Sequence, residues 1–257
     1  MRRIRVIPTL LLNADGGLVK TIKFGKRTYI GDPINAVKIF NDKGADELLL
    51  LDIDASQQNY APRRDVIEEI VSEAFMPVGY GGGIRSVDQA AELFRCGIEK
   101  VVLATAAVET PELISEISQH FGDQSTVVCL NLKKSLFGRY GLRTAGGRKS
   151  YRQSPVEFAK LAVGRGAGEI IVNSIDRDGT FSGYDQKLLK EIAVCVDVPV
   201  VACGGARTTD DFVTAVKDSH CAAVAAGSMF LFQGSNRGIL ISYPPARELE
   251  ERLFQQL

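Results

Sequence analysis

Two short glycine runs are the first features of the sequence that could do chemistry. Gly81-Gly82-Gly83 and Gly204-Gly205 each follow a short apolar run and precede a helical pattern. Without a Cβ, backbone N–H groups can approach an oxygen closely, and a helix start behind them adds partial positive charge, which suits phosphate. Ala226-Gly227-Ser228 ends a later apolar run, and Thr105 follows another. Gly82 and Gly83 with Thr105, and Gly204 and Gly205 with Ala226 and Gly227, are therefore two candidate phosphate sites. Together they predict a ligand with two anionic ends. The competing reading is that the glycines serve only tight strand-to-helix turns.

Carboxylates stand after two other runs: Asp52 and Asp54 after one, Asp176 and Asp178 after another. In such places a carboxylate can exchange protons with a bound molecule, or anchor a loop or helix start. Asp178 is expected on the substrate side, and Asp176 in a partly structural role. Four single charges sit at the opposite ends of the runs: Arg5, Glu47, Lys100 and Glu169, each next to an apolar stretch. If the runs converge, these four form a ring of zero net charge. Buried charges must pair or bear a large desolvation cost, and spacing alone favours a structural salt-bridge cluster. Finally, the stretch 132–153 holds seven basic residues (Lys133, Lys134, Arg139, Arg143, Arg148, Lys149, Arg152) and no acidic one. It reads either as a solvated, hairpin-like loop or as a clamp over a polyanion.

The elements that must position these groups follow from the apolar pattern. The runs cover 6–12, 48–51, 77–80, 101–104, 126–131, 170–173, 198–202 and 222–226, and longer helical patterns separate them. They are continuous rather than alternating, as parallel strands buried on both faces require. Eight such units in 257 residues predict a single α/β domain, a closed (βα)8 TIM barrel over 1–257. An open doubly wound sheet is the alternative. An internal repeat favours the barrel: Met76-Pro77-Val78 and Gly82-Gly83-Ile84-Arg85 return as Val198-Pro199-Val200 and Gly204-Gly205-Ala206-Arg207 at an offset of 122. Glu47 falls on Glu169 at the same offset. Two half-barrels, roughly 1–122 and 123–257, would produce this pattern. In such a barrel the strand ends form the active face and the strand starts the base.

Composition removes other classes. Thirty-one basic residues balance thirty-one acidic ones, so no global field grips nucleic acid. The five cysteines (Cys96, Cys129, Cys195, Cys203, Cys221) make no Cys-x-x-Cys pair and read as reduced thiols of a cytoplasmic protein. His120 and His220 have no partner at metal spacing, so neither a metal site nor a cofactor is expected. The basic start Met1-Arg2-Arg3 precedes too short an apolar run, broken by Pro8, to be a leader. No stretch reaches the ~18 apolar residues of a membrane span.

Several motifs carry a resemblance across nearly the whole chain. They are Arg-Val-Ile-Pro (5–8), Asp-Gly-Gly-Leu-Val-Lys (15–20), Asp-Glu-Leu-Leu-Leu-Leu-Asp-Ile-Asp-Ala-Ser (46–56), Gly-Gly-Gly-Ile-Arg (81–85), Thr-Ala-Ala-Val (105–108), Gly-Ala-Gly-Glu-Ile (166–170) and Ser-Ile-Asp-Arg-Asp-Gly-Thr (174–180). Together they resemble the cyclase (HisF) subunit family of imidazole glycerol phosphate synthase. The resemblance implies a half-barrel-duplicated fold, a phosphorylated small-molecule substrate and a glutaminase partner docked beneath the barrel. It implies that Arg5, Glu47, Lys100 and Glu169 gate ammonia, and that Lys20 and Asn173 join Asp178 in the site. The departures are specific. The family's first catalytic aspartate falls at Leu11 and its second at Asn131; the usual cysteine after Pro8 is Thr9, and the usual asparagine before Thr105 is Ala104. Leucine cannot transfer a proton, and asparagine is no general base at neutral pH.

This pattern, with the ring kept and both carboxylates lost, is similar to a diverged branch acting in acetamidino-sugar modification of surface polysaccharides. The Leu10-Leu11-Leu12 run and the tail from Ala226-Gly227-Ser228-Met229-Phe230 through Ile241-Ser242-Tyr243-Pro244 also resemble that branch. There a glutaminase and the barrel are thought to supply ammonia to a third, sugar-amidinating enzyme. The expectation is an ammonia-conducting subunit of that kind. Two alternatives stand beside it: a true cyclase of histidine biosynthesis with displaced acid–base groups, and a non-catalytic scaffold.

Overall fold

The computed structural model describes residues 4–234 and 236–256; the basic start Met1-Arg2-Arg3 lies outside the described residues. Eight strands run β1 (Arg5–Leu12), β2 (Leu48–Asp52), β3 (Val78–Gly81), β4 (Lys100–Leu103), β5 (Thr126–Lys134), β6 (Glu169–Ser174), β7 (Val200–Cys203) and β8 (Ala223–Ala226). Each pairs in parallel with its neighbours, and β8 pairs with β1, so the sheet closes into a (βα)8 TIM barrel. An open sheet is excluded.

The buried apolar residues fall into two groups, as a barrel requires. The larger group, with Val6, Leu10, Leu48, Leu50 and Val128, lies between the sheet and the helices outside it. The smaller group fills the lumen: Ile7, Leu49, Val102, Val127, Cys129, Ile171, Val201, Ala223 and Ala225. Strand alternation separates them. On β5, for example, Val128 packs outward, and its neighbours Val127 and Cys129 face in.

The surrounding helices start where their sequences provide caps. Asp32 accepts a hydrogen bond from Ile34 N at the head of Pro33–Asp42, with Pro33 in the first turn. Ser86 caps Val87–Arg95, Asp185 caps Gln186–Ala193, and Thr208 with Asp211 forms a capping box on Thr209–Lys217.

The basic stretch 132–153 is regular rather than irregular. β5 continues to Lys134 and pairs antiparallel with Tyr140–Thr144, which pairs in turn with Lys149–Tyr151. Leu132, Leu142 and Thr144 are buried on one face of this ladder, and the turn at Gly138 adopts a positive φ. Two-residue periodicity drew this segment into a sheet that the charge count obscured. A second hairpin, Leu18–Thr21 with Arg27–Gly31, leaves the end of β1 and folds over the barrel mouth.

Candidate functional site

At the base, the four single charges meet. Arg5 bridges Glu47 and Glu169, and Lys100 Nζ lies 2.9 Å from Glu47 Oε1 and 3.0 Å from Glu169 Oε2. Glu47 and Glu169 are only 3% and 5% exposed, whereas Arg5 and Lys100 keep some water contact. Burial opposes the charge on Arg5, but its two carboxylate partners outweigh that and hold its pKa above the ordinary arginine value. Burial likewise opposes ionisation of Glu169. Its hydrogen bonds and attraction to Arg5 and Lys100 prevail and keep it below the usual glutamate range. Arg5 and Glu169 are thus each held in the charged form by the partners that surround them.

Above the ring is the lumen, and above that a cavity of about 150 Å³ opens at the strand ends. Among the residues lining it are Thr9, Leu11, Lys20, Gly82, Gly83, Thr105, Asn131, Asn173, Asp178, Gly204, Gly205, Ala226 and Gly227. The fold thus brings the glycine turns, Leu11, Lys20, Asn131, Asn173 and Asp178 to one place, on the face opposite the ring, whereas Asp54 and Asp176 do not line the cavity. Asp178 accepts from Lys20 Nζ at 2.7 Å and from Thr21 Oγ1 at 3.2 Å, tying the first hairpin across the mouth. Asp176 points elsewhere and accepts from Lys134 N, so its role is structural. Asp52 is also structural in part. It accepts from the backbone of Asp54 and Ala55 and from the Tyr60 hydroxyl, and burial pushes its pKa up. Asp54 is drawn down by its hydrogen bonds with Arg27, which brace the other side of the hairpin.

Leu11 and Asn131 occupy the cavity wall without a carboxylate. Asn131 Oδ1 accepts from Asn173 Nδ2 at 3.0 Å, so two neutral amides stand there. Burial raises the thiol of Cys203 to about 12 and that of Cys129 further, so both lumen cysteines stay protonated. The remaining cations on the wall, Lys20 and Arg27, are each ion-paired. Arg27, Asp54 and Tyr60 were not picked out from the sequence as partners, because their pairing depends on where the hairpin folds. Ser228 was quoted only as part of a turn. Its Oγ is buried without a hydrogen-bond partner, beside Gly227 on the cavity wall.

The glycine turns are tight independently of any ligand. Gly82 adopts φ +131°, and a Cβ there would lie 2.5 Å from Asp52 O. Gly205 adopts φ +116°, and its Cβ would lie 2.2 Å from Gly183 O. Both roles proposed for these glycines, turn former and anion cradle, are thus compatible with one geometry. Gly205→Ala is expected to cost about 3 kcal/mol of stability, read from the urea midpoint. Gly44→Ala, at φ +70° with open space around it, should cost about 1 kcal/mol. Equal costs at the two positions would show that the close approach at Gly205 is not rigid.

The described residues contain no grouping of His, Cys, Asp and Glu fit to hold a metal ion, and no helix among them is long and apolar enough to cross a membrane. The chain matches the family described as Histidine biosynthesis protein over residues 5–236. It is 47% identical over 250 residues to a protein of Pseudomonas aeruginosa provisionally named imidazole glycerol phosphate synthase subunit hisF2, covering 97% of this chain and 99% of that one. A Vibrio vulnificus protein, provisionally named subunit hisF3 of the same synthase, is 45% identical over 254 residues, covering 98% and 97%. A Leptospira interrogans protein, provisionally named subunit HisF, is 44% identical over 255 residues, covering 99% and 100%. Motif, fold and comparison thus agree over the whole barrel, and the chain belongs to the histidine biosynthesis protein family as a HisF-like barrel.

Proposed function

We propose that this chain is the ammonia-conducting barrel of a glutamine-dependent assembly. It takes ammonia from a glutaminase docked on its base and passes it through the lumen to a third enzyme. That enzyme amidinates a nucleotide-linked sugar for surface polysaccharide. The observation that carries this reading is the ion-paired ring lying beneath a lumen of neutral side chains, in a wall that lacks carboxylates at Leu11 and Asn131. A ring that buries two carboxylates and half-buries their two cations is a poor way to gain stability, since well-packed apolar residues would do as well or better. A port for a small neutral molecule gives it a use. Phe75 and Val194 are exposed in helix-to-strand connections, which lie on the base with the ring. They offer apolar surface for a partner there.

The two glycine turns, with Thr105, Ala226 and Gly227, stand as the phosphate sites of a phosphorylated ligand at the mouth. A bisphosphate would have to rely there on backbone N–H groups and hydroxyls, because Lys20 and Arg27 are already paired. The tail segment that suggests the sugar branch has a packing role of its own: Tyr243 is buried, donates to Val6 O at 3.0 Å and stacks against Phe230.

The test is reconstitution with the cognate glutaminase. A stable heterodimer with stimulated glutamine hydrolysis is expected; no complex and no stimulation would sink the proposal. Within that complex, Lys100 is the movable member of the ring, a flexible stem ending in one ammonium group. Lys100→Ala should leave docking and hydrolysis intact and lower several-fold the share of glutamine nitrogen that reaches the acceptor. Unchanged delivery would remove Lys100 from the port.

A further inference from the structure

The four strands that carry the ring also set what lies above it. Two residues further along each, Ile7, Leu49, Val102 and Ile171 make an apolar collar, all at most 4% exposed. Four residues along, Thr9, Leu51, Ala104 and Asn173 all line the cavity. Thr9 and Asn173 are 6% and 8% exposed, yet Thr9 Oγ1 and Asn173 Oδ1 have no hydrogen-bond partner within the chain. Buried polar atoms are nearly always paired, so these two orphans, at one level on opposite sides of the cavity and with Ser228 Oγ as a third on its lining, need an explanation. The Asn173 amide is not loosely placed: its Nδ2 donates to Asn131 Oδ1, which turns Oδ1 away from that partner. Neighbouring groups supply no charge. Cys129 and Cys203 are thiols held neutral by burial, and Asp178 is taken by Lys20.

The wall therefore offers an amide acceptor and a hydroxyl that can donate, in neutral surroundings just past an apolar collar. Neutral ammonia matches that set. Its N–H groups can donate to an amide oxygen, and its lone pair, a better acceptor than water's, can accept a hydrogen bond from a hydroxyl. Ammonium has no lone pair for the hydroxyl and would meet no free carboxylate, so its desolvation would go uncompensated. A phosphate would be repelled by the unpaired carbonyl oxygen of Asn173. We propose that Thr9 and Asn173 form a resting site for neutral ammonia directly above the collar. The site rests on the conduction reading: it would hold the nucleophile in the barrel between release below and use above.

The site can be tested without a glutaminase. The full chain, labelled with ¹⁵N in its asparagine side chains, is titrated with ammonium chloride at alkaline pH, where much of the ammonia is neutral. Potassium chloride at matched ionic strength is the control, and Asn173→Leu assigns the resonance. A saturable shift of the Asn173 side-chain amide is expected with ammonia, absent with potassium chloride and absent at acid pH, where only ammonium is present. Thr9→Val keeps the shape and removes the hydroxyl. It should weaken the apparent affinity about 2–10-fold, with the rest of the spectrum superimposable. A drift that does not saturate, or a Thr9→Val titration equal to wild type, would mean that water alone satisfies these atoms, and the proposal would fall. Nitrogen delivery in the reconstituted complex without this shift would overturn the site and leave conduction standing. Binding here without delivery would do the reverse.

Discussion

Glu169→Ala is expected to lower folding stability by about 3 kcal/mol, the low end of the range for breaking a buried pair. Glu169 is 5% exposed and accepts from both Arg5 and Lys100. Without it, two cations share Glu47 alone. The loss stays at the low end because Arg5 and Lys100 keep partial contact with water and can recover some hydration. Urea unfolding at neutral pH measures it, and a loss below about 1 kcal/mol would place the ring among ordinary surface ion pairs. The acid limb gives a second, independent reading. The Glu169 carboxyl titrates lower in the folded chain than in the unfolded one. A depressed carboxylate contributes stability that is complete above its unfolded-state value and is lost as pH falls through its folded value. Wild type should therefore lose stability as pH drops below the ordinary glutamate range. Glu169→Gln should show a shallower fall there. Asp54, also depressed through Arg27, titrates in both proteins, so the difference between the two curves isolates the ring.

How far the sequence led depended on the range of the interaction. Buried parallel strands leave continuous apolar runs, and those runs placed all eight barrel strands to within two residues at their starts. The ring was legible as well, because Arg5, Lys100 and Glu169 each open a strand and Glu47 directly precedes one. Their convergence needed only the barrel. By contrast, the hairpin 18–31 crosses the mouth through Lys20–Asp178 and Arg27–Asp54, contacts between residues 158 and 27 positions apart. Neither has a local signature. The ladder 132–151 was obscured for another reason: its basic side chains alternate with buried Leu132, Leu142 and Thr144, and a count of charges reads only the outward half. Val128 shows the finest limit. In a run buried on both faces, inward and outward residues look alike, and only strand phase tells them apart.

The second large effect concerns positions 11 and 131. Given the histidine-pathway bisphosphate and an ammonium salt, this chain is expected to form the imidazole product at least about 10⁴-fold more slowly than a barrel carrying both carboxylates. A single positioned acid or base contributes about 10²–10⁴-fold, and two acting together are not additive. The wall offers no obvious replacement. Asp178 is neutralised by Lys20, Asp52 is engaged with Tyr60 and two backbone N–H groups, and Asp54 is committed to Arg27. Turnover at enzyme-like rates would mean that one of these leaves its partner to work, and the conduction reading would lose its main support. The reciprocal experiment restores the missing groups. Asn131→Asp is nearly isosteric, and its carboxylate could still accept from Asn173 Nδ2. Leu11→Asp places a second acid on the same cavity wall, where Leu11 is 7% exposed. The single variants should remain near background. The double variant should gain about 10²-fold or more if the phosphate turns still accept their ligand. No gain in a folded double variant would locate the divergence deeper, in the paired cations and in Ala104, where the family's asparagine is missing. The mouth would then have been rebuilt around a different occupant, and the lumen beneath it would be the part of the ancestral machine still in use.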